Sequence, residues 1–260
     1  MINDVAPPLH VSTTFRYANT LEPDHYSYSR HDQPTRSRLE AVLGAIEGGT
    51  AVVYSSGSAA TFSILQYYKP ERVFIDKGYS GTYSCMHSYF SPIDREWFKR
   101  VLTLKPDVQV QKGDLLWLET PKNPCCNLHD IAHYVHLAKE EKVPVVVDST
   151  FATPVLQRPL VLGADIVVHS CTKFISGQSD VLAGAVVARN PVVARGFHSQ
   201  RTTMGNVPGN MENFLLLRSL RTLAVRVRRQ AKTAAYLAAF LETHPNITKV
   251  WHPSLASHPD

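Results

Sequence analysis

Short apolar runs rich in β-branched residues recur along the chain, and segments with helical spacing separate them. Near-continuous apolar strands of this kind are typical of a sheet that is covered on both faces. Their alternation with helices predicts an α/β fold with a mainly parallel sheet and helices on both faces. Six runs carry the pattern: 51–54, 73–75, 115–118, 143–147, 165–168 and 184–187.

Helical spacing is clearest in three places. Apolar residues repeat on one helical face over 39–46 before Gly48, which can end a helix. Asp130 is a suitable N-cap for a second helix. The pattern predicts one long helix with only small interruptions from Pro208 to about Thr243, and it predicts the start of a new strand from Ile247 to Trp251.

These patterns divide the chain into four predicted segments. The first, 1–40, is rich in Pro, Tyr, His and Thr and is expected to form an extended N-terminal arm. A large α/β domain follows over 41–208. The segment 209–244 is predicted to be a long connecting helix, and 245–260 is expected to begin a C-terminal domain.

Composition excludes several classes of protein. The 260 residues suffice for one large domain or two small ones, and 44% hydrophobic with 19% charged residues is typical of a globular protein. The basic cluster 218–229 has a helical pattern without interleaved aromatics, so we expect no nucleic-acid binding. The start of the chain does not resemble a secretory signal, and the longest apolar run, 234–241, is too short for a bilayer, so we expect no membrane segment.

The four cysteines include no CxxC pair, and the adjacent Cys125 and Cys126 suit neither a zinc site nor a disulfide framework. We therefore expect no metal and a reducing compartment, which predicts a cytoplasmic location.

Ligands of open α/β sheets bind beyond the carboxyl ends of the strands, so the residues there are the candidates for chemistry. Lys173 follows the fifth run in a segment with few other charges. Partial desolvation lowers the pKa of a lysine and frees its amine to condense with an aldehyde. Taken alone, a solvent-exposed loop lysine is the simpler interpretation.

Asp148 directly follows the apolar run 145–147. Pyridoxal 5′-phosphate (PLP) needs an anion against its pyridine nitrogen, because the protonated ring is the electron sink that stabilises a carbanion. A helix cap or a metal ligand would also explain an aspartate at this position. The lysine one strand later favours a PLP site.

The sequence Ser56-Gly57-Ser58 precedes a helical stretch that begins near Ala59. Backbone N–H groups at a helix start, with a glycine that allows close approach, suit a phosphate dianion. Ser170 and Thr172, on the segment that carries the lysine, can add hydroxyl donors. A Ser-Gly turn alone is common and usually binds nothing.

Competing signatures are absent from the sequence. It has no GxxxxGK[ST] phosphate loop, no GxGxxG after the first strand and no HExxH zinc motif. A serine with one of the twelve histidines remains an alternative as a hydrolase pair, but GxSxG is missing.

Together these residues resemble the Cys/Met-metabolism PLP enzymes, which include cystathionine γ-synthase, cystathionine β- and γ-lyases, methionine γ-lyase and O-acetylhomoserine sulfhydrylase. Seven motifs match in the family's order over essentially the whole chain: PPLHVSTTF, YSRHDQPTRSRLE, SSGSAA, GYSGTY, ETPKNP, VVVDSTFATP and VVHSCTKFISGQSDVLAGAVV. The resemblance implies a fold-type-I PLP-dependent transferase in which 41–208 binds PLP. It also implies that the small C-terminal domain is largely missing, with 245–260 as its truncated start.

The resemblance implies roles for residues around the cofactor ring. Lys173 would carry PLP as a Schiff base and later move a proton between substrate carbons. Asp148 would pair with the pyridinium nitrogen, and Tyr79 would stack on the ring and help to activate the amine. Asn123 would contact the 3′-oxygen, with Glu119 supporting that site from behind.

It also implies the phosphate site. The backbone amides of Gly57 and Ser58, with the hydroxyls of Ser170 and Thr172, would hold the phosphate. Two residues of the YSR motif, Tyr28 and Arg30, would reach the phosphate of a neighbouring subunit. The expected assembly is therefore a homodimer or homotetramer with shared sites, although a solvated arm is the alternative for these two residues.

Five residues near the expected site depart from the family's usual pattern: Gln33, Ser58, Lys122, Ser149 and Gln178. Substrate choice is therefore expected to be unusual. None of these departures removes the pair formed by Lys173 and Asp148.

The resemblance implies a carbon–sulfur lyase of transsulfuration that acts by cystathionine-type β- or γ-elimination on a small amino acid of the cystathionine or O-acyl-homoserine class. A γ-replacement enzyme, cystathionine γ-synthase or O-acetylhomoserine sulfhydrylase, is the first alternative. A catalytically weak PLP-binding paralogue or scaffold is the second, because the family's C-terminal domain supplies the arginine that binds the substrate carboxylate. If these residues were the whole polypeptide, we would expect PLP binding with poor turnover.

Overall fold

One seven-stranded mixed sheet lies at the centre of a computed structural model that describes residues 5–17 and 26–260. The order of the strands across the sheet is β1-β7-β6-β5-β4-β2-β3. In chain order they are β1 (Thr50–Tyr54), β2 (Arg72–Ile75), β3 (Val101–Thr103), β4 (Asp114–Glu119), β5 (Val145–Asp148), β6 (Ile166–Ser170) and β7 (Gly184–Ala188).

The sheet is mainly parallel, which confirms the predicted fold class. β2 pairs in parallel with β3 and β4, and the parallel ladder continues from β4 through β5 to β6. β7 is antiparallel to both of its neighbours, β1 and β6. The other strands therefore share one direction, and their carboxyl ends lie along the same edge. Each of the six predicted runs forms a strand, whereas β3 was not predicted.

Helices cover both faces of this sheet. They are α1 (Pro34–Glu47), α2 (Gly57–Tyr68), α3 (Ser80–Phe90), α4 (Ile131–Lys139), α5 (Thr153–Leu156), α6 (Pro191–Met204), α7 (Asn210–Leu220) and α8 (Leu223–Glu242), with a short 3₁₀ helix at Trp97–Arg100. Two predicted helix ends are confirmed. Gly48 terminates α1 with a left-handed φ of 86°, and the Asp130 carboxylate accepts from two backbone N–H groups at the start of α4.

Successive strand residues point to opposite faces and so build separate cores. On one face, Trp117 and Val146 are fully buried in a cluster with residues of α2, α3 and α6. On the other face, Val147 packs with α4, and Val53 packs with α1, α7 and α8. Burial on both sides explains why the strands read as continuous apolar runs.

In the structure, the long helix predicted over 209–244 is interrupted between α7 and α8. α7 ends at Leu220 and α8 begins at Leu223. At the break, the Arg226 guanidinium donates to the carbonyl of Ser219 at 3.1 Å and to the carbonyls of Phe174 and Ile175 in the loop after β6. The bond to Ser219 satisfies a carbonyl that the end of α7 leaves open, and a hydrophobic pattern does not reveal it.

The predicted strand at Ile247–Trp251 is wrong, because that segment forms no strand. The Ile247 amide instead donates to the His244 carbonyl at 3.0 Å in a turn. α1 begins at Pro34, inside the range predicted as arm. The arm residues 1–4 and 18–25 lie outside the described residues, and the other segment boundaries stay predictions. Within the described ranges, no helix is both long and apolar enough to cross a membrane.

Asp114, the first residue of β4, is buried at the amino-terminal end of the parallel strands. Its carboxylate accepts two bonds from Arg72, at 2.8 and 2.7 Å, and one from the Gln111 amide at 2.8 Å. Asp114→Ala removes this bidentate charged pair, so we expect the free energy of unfolding to fall by about 2 kcal/mol in denaturant titrations. The control is Glu96→Ala, which breaks the exposed pair with Lys99 and should change little. Equal losses in the two variants would show that the buried carboxylate stabilises the fold no more than an exposed one.

Candidate active site

A cleft lies at the carboxyl edge of the sheet, and the loops that follow β1, β2, β4, β5 and β6 line it. It encloses about 910 Å³, part of which is open to solvent. All but two of the residues predicted for the site line it: Gly57, Ser58, Tyr79, Asn123, Asp148, Ser170, Thr172 and Lys173. Tyr28 and Arg30 do not.

Asp148 ends β5 and directs a carboxylate into this cleft. Burial raises the pKa of this carboxyl, while hydrogen bonding to Thr150 and the nearby His169 act in the opposite direction. One Asp148 oxygen accepts from the Thr150 amide at 3.0 Å. An ionised carboxylate at this position therefore favours a cationic group beside it in the cleft.

Glu119 ends β4, next to Asp148 in the parallel register, and only 7% of it is exposed. Its carboxylate accepts from the backbone amides of Tyr79 and Asn123, each at 2.8 Å. Burial raises the pKa of Glu119, and these two hydrogen bonds oppose the increase. A Cβ at Gly78 would lie 2.1 Å from a carboxylate oxygen of Glu119, so the close approach requires glycine. Glu119 thus holds the loops that carry Tyr79 and Asn123.

The first turn of α2 supplies backbone donors to the cleft. Ser56 caps this helix, because its hydroxyl accepts from the Ala59 amide at 3.0 Å. In the described part of the chain, no hydrogen bond uses the amides of Gly57 and Ser58, which line the cleft. A Cβ at Gly57 would lie 3.0 Å from the Cβ of Ser170, so the two loops meet here. This arrangement suits a phosphate group.

The loop after β6 carries the exposed Lys173. The Lys173 amide donates to the Ser170 carbonyl at 3.1 Å, and the Lys173 carbonyl accepts from Gly177 at 2.7 Å. The Thr172 hydroxyl donates to the Ala183 carbonyl at 3.2 Å and accepts from its amide at 3.1 Å. The Thr172 hydroxyl proton is therefore used in the bond to the Ala183 carbonyl in this conformation. Of the two predicted hydroxyl donors to phosphate, Ser170 is therefore the one that the geometry favours.

Sequence reasoning missed Thr150 as a connector. Its hydroxyl accepts from the Ser170 amide at 2.9 Å, while its own amide donates to Asp148. Thr150 therefore joins the loops that carry the carboxylate and the lysine. The signal was available, since Asp followed two positions later by a donor N–H forms an Asx turn.

A buried pair behind the sheet edge was also missed. His169 and Glu47 are both fully buried, with 2.5 Å between the imidazole Nε2 and the carboxylate Oε1. A histidine inside the otherwise apolar run of β6 was the available signal, because a buried polar side chain needs a partner.

Two of the departures from the family pattern have structural partners. The Lys122 ammonium lies 2.5 Å from the Asp76 carboxylate, which comes after β2. Gln33 is fully buried, accepts from the Arg36 amide at 2.8 Å to cap α1, and donates to the His10 carbonyl at 2.7 Å. Both side chains therefore hold the chain's own loops together.

The cleft fits PLP on three independent features. It contains an exposed lysine amine, a desolvated carboxylate that favours a cationic partner, and two helix-start amides whose donors are not used by the described residues. Over residues 5–17 and 26–260, no group of three or more His, Cys, Asp and Glu side chains is arranged to hold a metal ion.

Comparison with known proteins identifies the relatives of this chain. The family model described as Cys/Met metabolism PLP-dependent enzyme matches residues 1–260. Cystathionine beta-lyase MetC of Bacillus subtilis is 37% identical, and the match covers 98% of this chain and 67% of the relative. Cystathionine gamma-synthase of Escherichia coli is also 37% identical, with 96% of this chain and 67% of the relative covered.

Solved structures give the same result. The cystathionine gamma-lyase CalE6 of Micromonospora echinospora superimposes with a TM-score of 0.87 and is 38% identical, over 98% of this chain and 69% of that one. The cystathionine gamma synthase of Xanthomonas oryzae, solved in complex with cystathionine, gives a TM-score of 0.89 at 31% identity, over 98% and 68% of the two chains.

The raised pKa of Asp148 predicts how pH affects the cofactor-free protein. Because the pKa of Asp148 is higher in the folded state than in the unfolded state, folding favours the protonated carboxyl. The free energy of unfolding therefore falls as the pH rises from the unfolded-state pKa through the folded-state pKa. Asp148→Asn removes this contribution. We expect the cofactor-free variant to melt a few degrees higher than wild type at pH 8 and at nearly the same temperature at pH 4.

The measurement is thermal unfolding of both cofactor-free proteins by circular dichroism at the two pH values. Asp107→Asn, at an exposed position, is the matched control and should follow wild type. A lower melting temperature for Asp148→Asn at pH 8 would show that the carboxylate is not destabilised by burial.

Proposed function

Because the chain belongs to the Cys/Met metabolism PLP-dependent enzymes, we propose that it is a carbon–sulfur lyase of transsulfuration that eliminates at Cβ or Cγ of a cystathionine-type amino acid. The observation that carries the proposal is the meeting of Lys173 and Asp148 in one cleft, at the ends of adjacent parallel strands. Relatives named as beta-lyase, gamma-lyase and gamma-synthase support the same substrate class.

The cofactor PLP supplies an electron sink that stabilises negative charge at the substrate Cα. The proposed roles of this chain's residues follow from where they lie. The Lys173 amine would hold the cofactor aldehyde. Once the substrate amine has taken its place there, the freed Lys173 amine would take the proton from the substrate Cα and move protons between the substrate carbons and the departing sulfur. Asp148 holds the proton on the pyridine nitrogen, because a cation there relieves the cost of its buried charge.

The remaining groups bind and orient. Tyr79, half exposed just before α3, would stack on the cofactor ring. Gly57 and Ser58 hold the phosphate through their amides, and Ser170 adds a hydroxyl. Asn123 orients the ring oxygen, and its position depends on the bond between its amide and Glu119.

Tyr28 and Arg30 lie outside the cleft of their own chain. We propose that they complete the phosphate site of a second copy, so that the working enzyme is a homodimer or homotetramer. A cytoplasmic location is proposed on the four cysteines, all of which are free thiols.

A γ-replacement synthase is the second candidate. It is favoured by the Escherichia coli cystathionine gamma-synthase, whose identity to this chain equals that of the Bacillus subtilis beta-lyase. Both reactions use the same proposed cofactor groups, so the two candidates differ in the leaving group and in the second substrate.

Lys173→Ala tests the cofactor assignment. Wild-type protein should absorb in the visible, borohydride should remove that band, and mass spectrometry should place the reduced pyridoxyl group on Lys173. The variant should lose the label, and its elimination activity should fall by at least about a hundredfold. Lys112→Ala, an exposed lysine before β4, is the control and should keep both. A label retained in Lys173→Ala would overturn the assignment.

Product analysis tests the reaction. We expect cystathionine to release pyruvate with homocysteine if elimination is at Cβ, or 2-oxobutyrate with cysteine if it is at Cγ, each with ammonia. Formation of cystathionine from cysteine and an O-acyl-homoserine, without release of a keto acid from cystathionine, would favour the synthase. Cofactor binding without any of these products would favour a weakly active paralogue or scaffold.

A further inference from the structure

The segment from Tyr28 to Asp32, here called the arm segment, makes a turn in which the His31 amide donates to the Tyr28 carbonyl at 2.9 Å. Its outward side chains contact each other, with the Arg30 guanidinium carbon 5.5 Å from the centre of the Tyr28 ring. Tyr28 is 44% exposed, and Arg30 is exposed as well. The arm segment therefore presents an aromatic ring and a guanidinium together on the surface.

Arg36 of α1 holds the backbone of this segment from inside. Only 1% of Arg36 is exposed. Its guanidinium donates to the Ser29 carbonyl at 2.8 Å and to the His31 carbonyl at 2.6 Å. These carbonyls belong to the residues on either side of Arg30, and bonds from a charged donor are stronger than neutral ones. Arg36 thereby fixes the backbone that carries Arg30.

A second buried arginine, Arg201 of α6, donates to the same His31 carbonyl as Arg36. It is fully buried, pairs with Glu40 and donates to the Val53 carbonyl at 3.0 Å and to the His31 carbonyl at 3.5 Å. Burial, with a smaller contribution from Arg201, lowers the pKa of Arg36 to about 10. A buried ionic network of this kind contributes little net stability. Its better documented effect is to select one conformation of the groups around it.

Two more contacts attach the arm segment to α6. The Asp32 carboxylate lies 2.9 Å from the imidazole of His198, and the Arg30 guanidinium donates to the Thr202 carbonyl at 2.9 Å. On its other side the arm segment continues a short antiparallel pairing, in which the Ser29 amide donates to the Thr13 carbonyl at 2.8 Å. The anchoring is thus concentrated on a segment that does not line its own chain's cleft.

We propose that Arg36, supported by Arg201, is a positioning residue that acts in trans: it holds the arm segment so that Tyr28 and Arg30 meet the phosphate bound in a second copy of the chain. This inference rests on the proposed function. Loss of Arg36 leaves the cleft of its own chain intact. The Arg30 guanidinium then samples many positions, and the cofactor affinity falls in the neighbouring copy.

Hybrid oligomers separate this effect from a merely structural one. Two differently tagged chains are co-expressed, and the mixed species is isolated. The first hybrid joins Arg36→Met with Lys173→Ala, and the second joins wild type with a chain that carries both substitutions. Both hybrids contain the same substitutions and one lysine-bearing cleft per pair of chains. In the first hybrid, the chain next to that cleft keeps Arg36, so its arm segment is held in place. In the second hybrid, the neighbouring chain carries Arg36→Met, so its arm segment is no longer held.

The readout is a titration with PLP, followed by the borohydride-sensitive visible band. We expect the first hybrid to bind PLP with wild-type affinity and the second to bind about tenfold more weakly. The reverse order, or equal affinities, would overturn the proposal, because a structural defect confined to the Arg36→Met chain would weaken the first hybrid. Arg38→Met, an exposed arginine on the same helix, replaces Arg36→Met in a control pair and should give equal affinities.

The outcome for the wild-type chain distinguishes the two proposals. If wild type forms no borohydride-sensitive band at Lys173, the proposed function fails and this inference fails with it. If wild type forms the band as a monomer, the proposed cofactor assignment stands and action in trans is overturned.

Discussion

The candidate site depends on a half-buried carboxylate at the end of the sheet. Asp148 lies at the end of a strand with neighbours on both sides, so its desolvation is imposed by the fold. The cost of that burial is large enough to raise its pKa even though Thr150 donates to it. A carboxylate in this condition gains most from a permanent partner with a positive charge, and a protonated pyridine ring is such a partner.

The loops around this carboxylate form one connected unit. Glu119 binds the loops of Tyr79 and Asn123, and Thr150 joins the loop of Asp148 to that of Ser170. Each connection is a hydrogen bond between a side chain at a strand end and a backbone amide of a loop at the same edge. The positions of Tyr79, Asn123 and Ser170 therefore depend on Glu119 and Thr150.

Sequence patterns predicted the sheet and the groups at its edge because each is a local signal. A run such as 145–147 followed by Asp148 can be read without knowledge of its neighbours. β3 was missed because three residues are too few for a pattern. The position of the break between α7 and α8 was not predicted, because Arg226, which bonds to the backbone there, also bonds to a loop that is distant in sequence.

The same reasoning applies to the site. Lys173, Asp148 and the amides after Ser56 could be placed at the edge because the carboxyl ends of parallel strands share it. The sequence predicted that the hydroxyl of Thr172 binds phosphate. Its hydrogen bonds to Ala183 depend on how two loops pack together, and the spacing of residues along the sequence does not reveal that packing. The anchoring of the arm by Arg36 is hidden for a similar reason, since its partners are backbone carbonyls.

The pairing of β1 with β7 has a consequence for how the protein matures. β1 precedes the turn at Ser56-Gly57-Ser58, yet its neighbour in the sheet of the described residues is β7, which lies about 130 residues later in the sequence. The Ser56 carbonyl also packs against Gly184 so closely that a Cβ there would lie 2.2 Å away. Until β7 has been synthesised, β1 lacks its partner in the described sheet and the turn lacks its contact with Gly184. The turn after β1 therefore reaches its final packing only after a pairing between segments that are far apart in sequence.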